Sequence, residues 1–208
     1  MVSEALRMKF RKVGSLQFIS HLDLCRTMKT AFVRAGIPIW YTEGFNPHPK
    51  MVFALTLSVG TQSECEFMDF RIDQPMSCEE IRDRLNGAVT DEMRVLEVYA
   101  QEKKFTEVGW AEYLLTFAGD ISSAEGIFDE SFVITKKSKS GEKEVDALPM
   151  IRSHAFAGNT LRAVLAASQD AYLNPEYLAS AISARTGIAD YDILRTRVLC
   201  QDGVTEFR

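Results

Sequence analysis

The order in which hydrophobic periodicity changes along this 208-residue chain restricts its fold more than any other feature. Leu6, Met8 and Phe10 alternate with Arg7, Lys9 and Arg11, the period of two that marks a strand with one apolar face and one polar face. The polar face of this strand is cationic. After Gly14-Ser15, Ser20 with Asp23 three residues on forms a capping-box pattern, Asp standing in for the usual Glu. Leu24, Met28, Ala31, Phe32 and Ala35 then recur at helical spacing, and Gly36 with Pro38 stops the helix. Residues 37–41 read as a short strand, 44–50 as a turn-rich connection with two prolines, and 51–59 with 65–72 as a strand pair turning through Gly60. An acidic-led helix over 77–88, capped by Ser77 and Glu80, and a strand over 93–99 close the run.

The second half repeats the order of elements without repeating the residues. Strand character over 110–118 is followed by a short helix over 122–130 and by strands over 132–137 and 144–151, turning at Ser140-Gly141. A strand over 160–167, a helix over 175–185 with Asn174 as N-cap and Pro175 at its first position, and a strand over 192–199 complete it. Two runs of β-α-β-β-β-α-β imply an α+β chain of two tandem ferredoxin-like units with mainly antiparallel sheets. The units are expected over residues 1–100 and 109–208, joined by the polar stretch 101–108.

Composition removes several classes of function. With 46% apolar residues the chain can bury a core, and its longest mainly apolar run, 51–59, is too short to span a bilayer. The N-terminus has no long apolar segment of secretory type, so a cytoplasmic protein without a membrane partner is expected. Cys25, Cys65, Cys78 and Cys200 have no paired spacing and read as ordinary thiols, and no phosphate-binding glycine loop occurs. No cofactor is implied by these patterns. Charge is unevenly placed: residues 1–50 carry a net +5, residues 51–108 a net −6 and residues 109–208 a net −4. A basic opening segment on an acidic chain points to a localised anionic partner, or to a solvated face balanced by nearby carboxylates.

Two of the three histidines, His21 and His48, fall in that basic segment. His21 stands at the first position of the expected helix, beside amides that favour an anion. His48 lies in Gly44-Phe45-Asn46-Pro47-His48-Pro49-Lys50, where two prolines stiffen a loop bearing an imidazole, an amide and an ammonium. The alternative is a turn that Pro-His-Pro merely shapes. His21, Asp23 and His48 are ligand types for zinc or iron, but their spacing matches no closed site and Asp23 has a capping role, so no metal is assigned. Cys25 sits between Leu22 and Met28 on the helix and reads as core.

Lys9-Phe10, Gly14-Ser15-Leu16, Ser20-His21-Leu22-Asp23, Arg34-Ala35-Gly36-Ile37-Pro38 and Glu43-Gly44-Phe45-Asn46-Pro47-His48-Pro49-Lys50 together resemble the radical-SAM-linked protein family. Similar pieces recur at Ser58-Val59-Gly60, Asn174-Pro175 and Arg195-Thr196, so the resemblance covers almost the whole chain. It implies an uncharacterised domain encoded beside, or fused behind, a radical S-adenosylmethionine protein, commonly near genes for RNA processing and ribosomal proteins. The chain itself lacks the CxxxCxxC motif of such an enzyme, so radical chemistry would belong to a separate partner. The paired ferredoxin-like reading also resembles, at the level of fold, RNA-processing proteins of CRISPR systems.

The leading expectation is an accessory module that binds RNA or an RNA-linked substrate for a radical SAM partner. Its binding residues would be Arg7, Lys9, Arg11, Ser20, His21, Asp23, Asn46, His48 and Lys50, with Lys12 extending the cationic face and Phe18, Tyr41 and Phe45 available to stack on bases. No catalytic residue is assigned. His21 and His48 are the candidates should the chain instead be a metal-independent RNA-processing enzyme, and a purely protein-binding partner domain is the third reading. The loop 44–50 is expected to fold over the helix start, so that His21, Asn46, His48 and Lys50 flank one anion.

Overall fold

A computed structural model describes residues 4–138 and 141–208. It is a mixed α+β structure with three α-helices and mainly antiparallel pairing among the described residues. The chain divides into two compact units, Met1–Phe105 with Arg208, and Thr106–Phe207. No helix among the described residues is long and apolar enough to cross a membrane.

In the first unit β1 (Glu4–Lys12) leads through a 3-10 turn (Gly14–Phe18) to α1 (His21–Arg34), then to β2 (Met51–Phe53), β3 (Thr61–Ile72), α2 (Cys78–Asn86) and β4 (Val95–Ala100). The strands pair antiparallel in the order β4-β1-β3-β2. Alternation decides which face of β1 carries the core: Leu6, Met8 and Phe10 pack with Leu24, Met28, Ala31 and Phe32 of α1 and with Ile81 and Leu85 of α2. Both helices begin at the expected caps, Ser20 accepting from the Asp23 amide and Ser77 from that of Glu80.

The other face of β1 departs from a solvated cationic surface. Arg7 is wholly buried and Lys12 nearly so, while Lys9 and Arg11 are half-buried. Arg7 donates to both carboxylate oxygens of Asp69 on β3, Nε at 2.7 Å and Nη2 at 3.0 Å, and to the carbonyls of Lys103 and Arg208. Its guanidinium also lies 4.4 Å from the centre of the Phe105 ring. The polar stretch 101–108 expected to join the units thus supplies two of the groups that hold Arg7, the Lys103 carbonyl and the Phe105 ring. Residues 37–41 form no strand but only single bridges, Ile39 to Ile72 and Tyr41 to Pro49, and the strand expected over 51–59 ends at Phe53.

In the second unit β5 (Val108–Phe117), β8 (Ile151–Ala157), β9 (Thr160–Ala166), α3 (Glu176–Thr186) and β10 (Tyr191–Cys200) make an antiparallel sheet of order β10-β5-β9-β8. β6 (Val133–Ser138) and β7 (Gly141–Asp146) form a separate hairpin; of its expected turn at Ser140-Gly141, Ser140 lies outside the described residues. The helix expected over 122–130 is a single 3-10 turn, Ser122–Ala124, because the backbone leaves helical geometry at Glu125 (ψ 139°) and Gly126 then takes a left-handed φ of 84°. The strand expected to run to residue 151 stops at Asp146, whose Oδ1 accepts from the Leu148 amide as a 3-10 turn containing Pro149 begins. β8, which follows, has no counterpart in the sequence reading. α3 starts one residue late, although Asn174 Oδ1 still caps it by accepting from the Glu176 amide at 3.2 Å.

Candidate functional site

The start of α1 is fixed by a reciprocal cap. Ser20 Oγ accepts from the Asp23 amide at 3.1 Å and donates to Asp23 Oδ2 at 2.7 Å, while Asp23 Oδ1 receives Arg26 Nη1 at 3.1 Å. The hydrogen bond from Ser20, followed by that from Arg26, holds the Asp23 carboxyl below its ordinary value. Asp23 therefore helps to cap the helix, and no three His, Cys, Asp or Glu side chains converge as metal ligands among the described residues.

His21 roofs the edge of the core. Its ring meets Phe53 edge-on at 5.1 Å between centres, and Phe53 in turn meets the buried Phe10. One turn along the helix, Cys25 Sγ lies 3.6 Å from His21 Nε2. Burial pushes the Cys25 thiol up from its ordinary value. Phe18 and Leu22 are exposed on either side of His21 in sequence, and Val59 is exposed next to Gly60, whose amide donates to the Gln17 carbonyl.

Residues 40–50 form a closed hairpin. The Lys50 amide donates to the Trp40 carbonyl at 3.0 Å and the Thr42 amide to the His48 carbonyl at 2.9 Å, with the Tyr41–Pro49 bridge between them. Thr42 Oγ1 adds a lock across the neck: it accepts from the His48 amide at 3.2 Å and lies 3.1 Å from His48 Nδ1, which is also 3.3 Å from the Asn46 carbonyl oxygen. Gly44 takes a φ of 119°, open only to glycine, and so turns the tip. Beyond this neck Phe45 is fully exposed, with Asn46, His48 and Lys50 also exposed, while Pro49 is buried and anchors the base. Thr42 was not singled out by the sequence reading; the only signal was a hydroxyl six residues before the histidine.

The candidate residues thus fall into three places. Ser20, His21 and Asp23 share the start of α1, Asn46, His48 and Lys50 share the hairpin, and Arg7, Lys9 and Arg11 belong to β1. Arg11 is spent on the Asp91 carbonyl, donating from Nε at 3.0 Å and Nη2 at 2.7 Å, and Lys9 lies over the Phe67 ring. Lys12 Nζ reaches the Gln17 and Thr61 carbonyls, each at 3.5 Å. No hydrogen bond or ring contact joins His21 to His48 among the described residues. Lys50 lines a cleft of about 180 Å³ with Asp69 and Arg71, which His21, Asn46 and His48 do not reach.

No curated protein matches the chain. A family model does match over residues 5–175, a span that contains β1 from Ala5 onward, the capped start of α1 and the hairpin. The chain belongs to the bacterial family described as DUF2344, uncharacterized protein conserved in bacteria.

Proposed function

We propose that the chain is an accessory binding module whose recognition element is the hairpin of residues 40–50, that its substrate is RNA or an RNA-linked molecule, and that it works in the cytoplasm beside a separate radical SAM enzyme. The observation that carries the reading is Phe45, fully exposed on a tip held by backbone hydrogen bonds and the Thr42 lock. An aromatic side chain left wholly in water forgoes about 1.5–3 kcal/mol of burial, and a stiff tip spends little ordering entropy when a partner covers it. Base stacking on such a ring is worth about 1–3 kcal/mol. Asn46 beside it can read a base edge, and Lys50 can meet a phosphate.

The radical SAM partner rests on the resemblance carried by Ser20-His21-Leu22-Asp23 and by residues 44–50. Tandem ferredoxin-like units are the finer reading of the fold, supported by the same antiparallel order in each: β4-β1-β3-β2, then β10-β5-β9-β8. In the second unit the 3-10 turn and the β6–β7 hairpin occupy the place of the first helix. Exposed Phe18 and Leu22 favour one secondary reading, direct docking onto the enzyme by a protein–protein contact. Acid–base catalysis by His21 and His48 draws no support from any contact between them.

Filter binding of cellular RNA across several salt concentrations tests the proposal. Binding should weaken steadily with salt, and Phe45→Ala should cost about tenfold in affinity with an unchanged melting temperature. Absence of salt-sensitive binding, alone or with the radical enzyme, removes the RNA reading; capture of the enzyme without RNA leaves the docking one.

A further inference from the structure

The first unit holds a second feature that the recognition hairpin does not use. A cleft of about 410 Å³ opens between α1 and the segment that follows α2, within the size range of small-molecule sites. Ala31 and Met93, both buried, floor it together with Leu16 and Val89, which pack onto the same core. Arg26, Thr30 and Arg34 form its rim along one line of α1, four residues apart, and Thr27 and Thr90 add hydroxyls. Arg26 and Arg34 stand about 12 Å apart along the helix axis.

Two observations set this cleft apart from an ordinary solvated groove. No carboxylate lines it, in a chain of net charge −5. The Arg34 side chain has neither an ion pair nor a hydrogen bond among the described residues, whereas the neighbouring Arg82, Arg84 and Arg94 each hold an acidic side chain. Complementing the C-terminal dipole of α1 explains a cation at residue 34, but it does not explain an apolar floor beneath two arginines and three threonines. Thr30 lies nine residues from His21, about two and a half turns, so the cleft faces away from His21 and Cys25 on the far side of α1.

We propose that this cleft binds a small amphipathic organic anion, its phosphate or carboxylate paired with Arg34 and its apolar body laid over Ala31, Val89 and Met93. Guanidinium groups match such heads bidentately, and the floor supplies apolar burial that a free inorganic ion cannot use. The inference stands apart from the RNA reading and needs no part of it.

The full-length chain with 8-anilinonaphthalene-1-sulfonate, an aromatic sulfonate whose fluorescence rises on burial, provides the test. Saturable binding of one equivalent is expected, about tenfold weaker for Arg34→Gln, the loss of one charge-assisted contact, and blocked by Thr30→Phe, which fills the cleft from an exposed position. Arg82→Gln, outside the cleft, should bind as the unaltered chain does. Nucleoside monophosphates and aliphatic carboxylates, added as competitors, identify the head group by which of them displaces the dye. Should either variant melt early, methyl shifts of Ala31, Val89 and Met93 on addition of dye to the unaltered chain decide the matter. Unsaturable uptake, equal uptake by all folded variants, or shifts confined to Phe18 and Leu22 would overturn the proposal.

Discussion

Glu112 on β5 shows how far single residues are set by their partners. Burial would raise its carboxyl, but hydrogen bonds from Arg197 and Thr196 and the charges of Arg197 and Arg162 outweigh it and hold the group at about 2. The unfolded chain, at the ordinary 4.5, takes up the proton first as pH falls. The stabilisation is therefore complete above pH 4.5 and is lost as pH drops through about 2, and its size is on the order of 2–3 kcal/mol. Urea unfolding at stepped pH should show Glu112→Gln weaker than the native chain at pH 7 by roughly this amount, with a flatter profile below pH 4.5. Arg7 makes a parallel case. Truncation to Ala leaves Asp69 without its bidentate partner and should cost about 3–5 kcal/mol in the same assay. If Arg7→Ala instead kept full stability and lost RNA affinity, Arg7 would return to the binding surface.

At the scale of elements, what was legible was local. The Ser20 and Ser77 caps, the apolar stripe of α1 and the alternation of β1 each depend on residues within a few positions, so both first-unit helices and their core faces could be read directly. Replacing Ser20 with Ala should lower stability by about 1 kcal/mol, seen as a lower melting temperature with intact helical circular dichroism after refolding at low temperature. What was not legible depended on distant partners. The Ile-Arg-Ser-His-Ala-Phe-Ala run of β8 alternates weakly, and pairing with β9 makes it a strand. Residues 122–130 carry enough apolar spacing for a helix, but Gly126 and the aromatic packing of Phe128 on Phe132 and Phe156 favour a compact loop. Alternation in β1 gave the side on which Arg7 lies, yet it held no information on whether that side is covered.

For the whole molecule, the charge asymmetry of the sequence located the segment of interest without showing how its cations are used. Of the nine candidate binding residues, the structure gives Arg7 and Arg11 acceptors within the fold and leaves Asn46, His48 and Lys50 exposed on one hairpin. Phe45 was legible as an aromatic able to stack, on a par with Phe18 and Tyr41; its full exposure follows from the neck made by Thr42, His48 and Lys50. Photocrosslinking of the full chain to RNA, with the adducts mapped by peptide mass, tests the central claim most directly. The account predicts adducts on the peptide containing Phe45, lost with Phe45→Ala while the fold is kept. Adducts elsewhere with none on the hairpin, or equal yield from the Phe45→Ala chain, would contradict it.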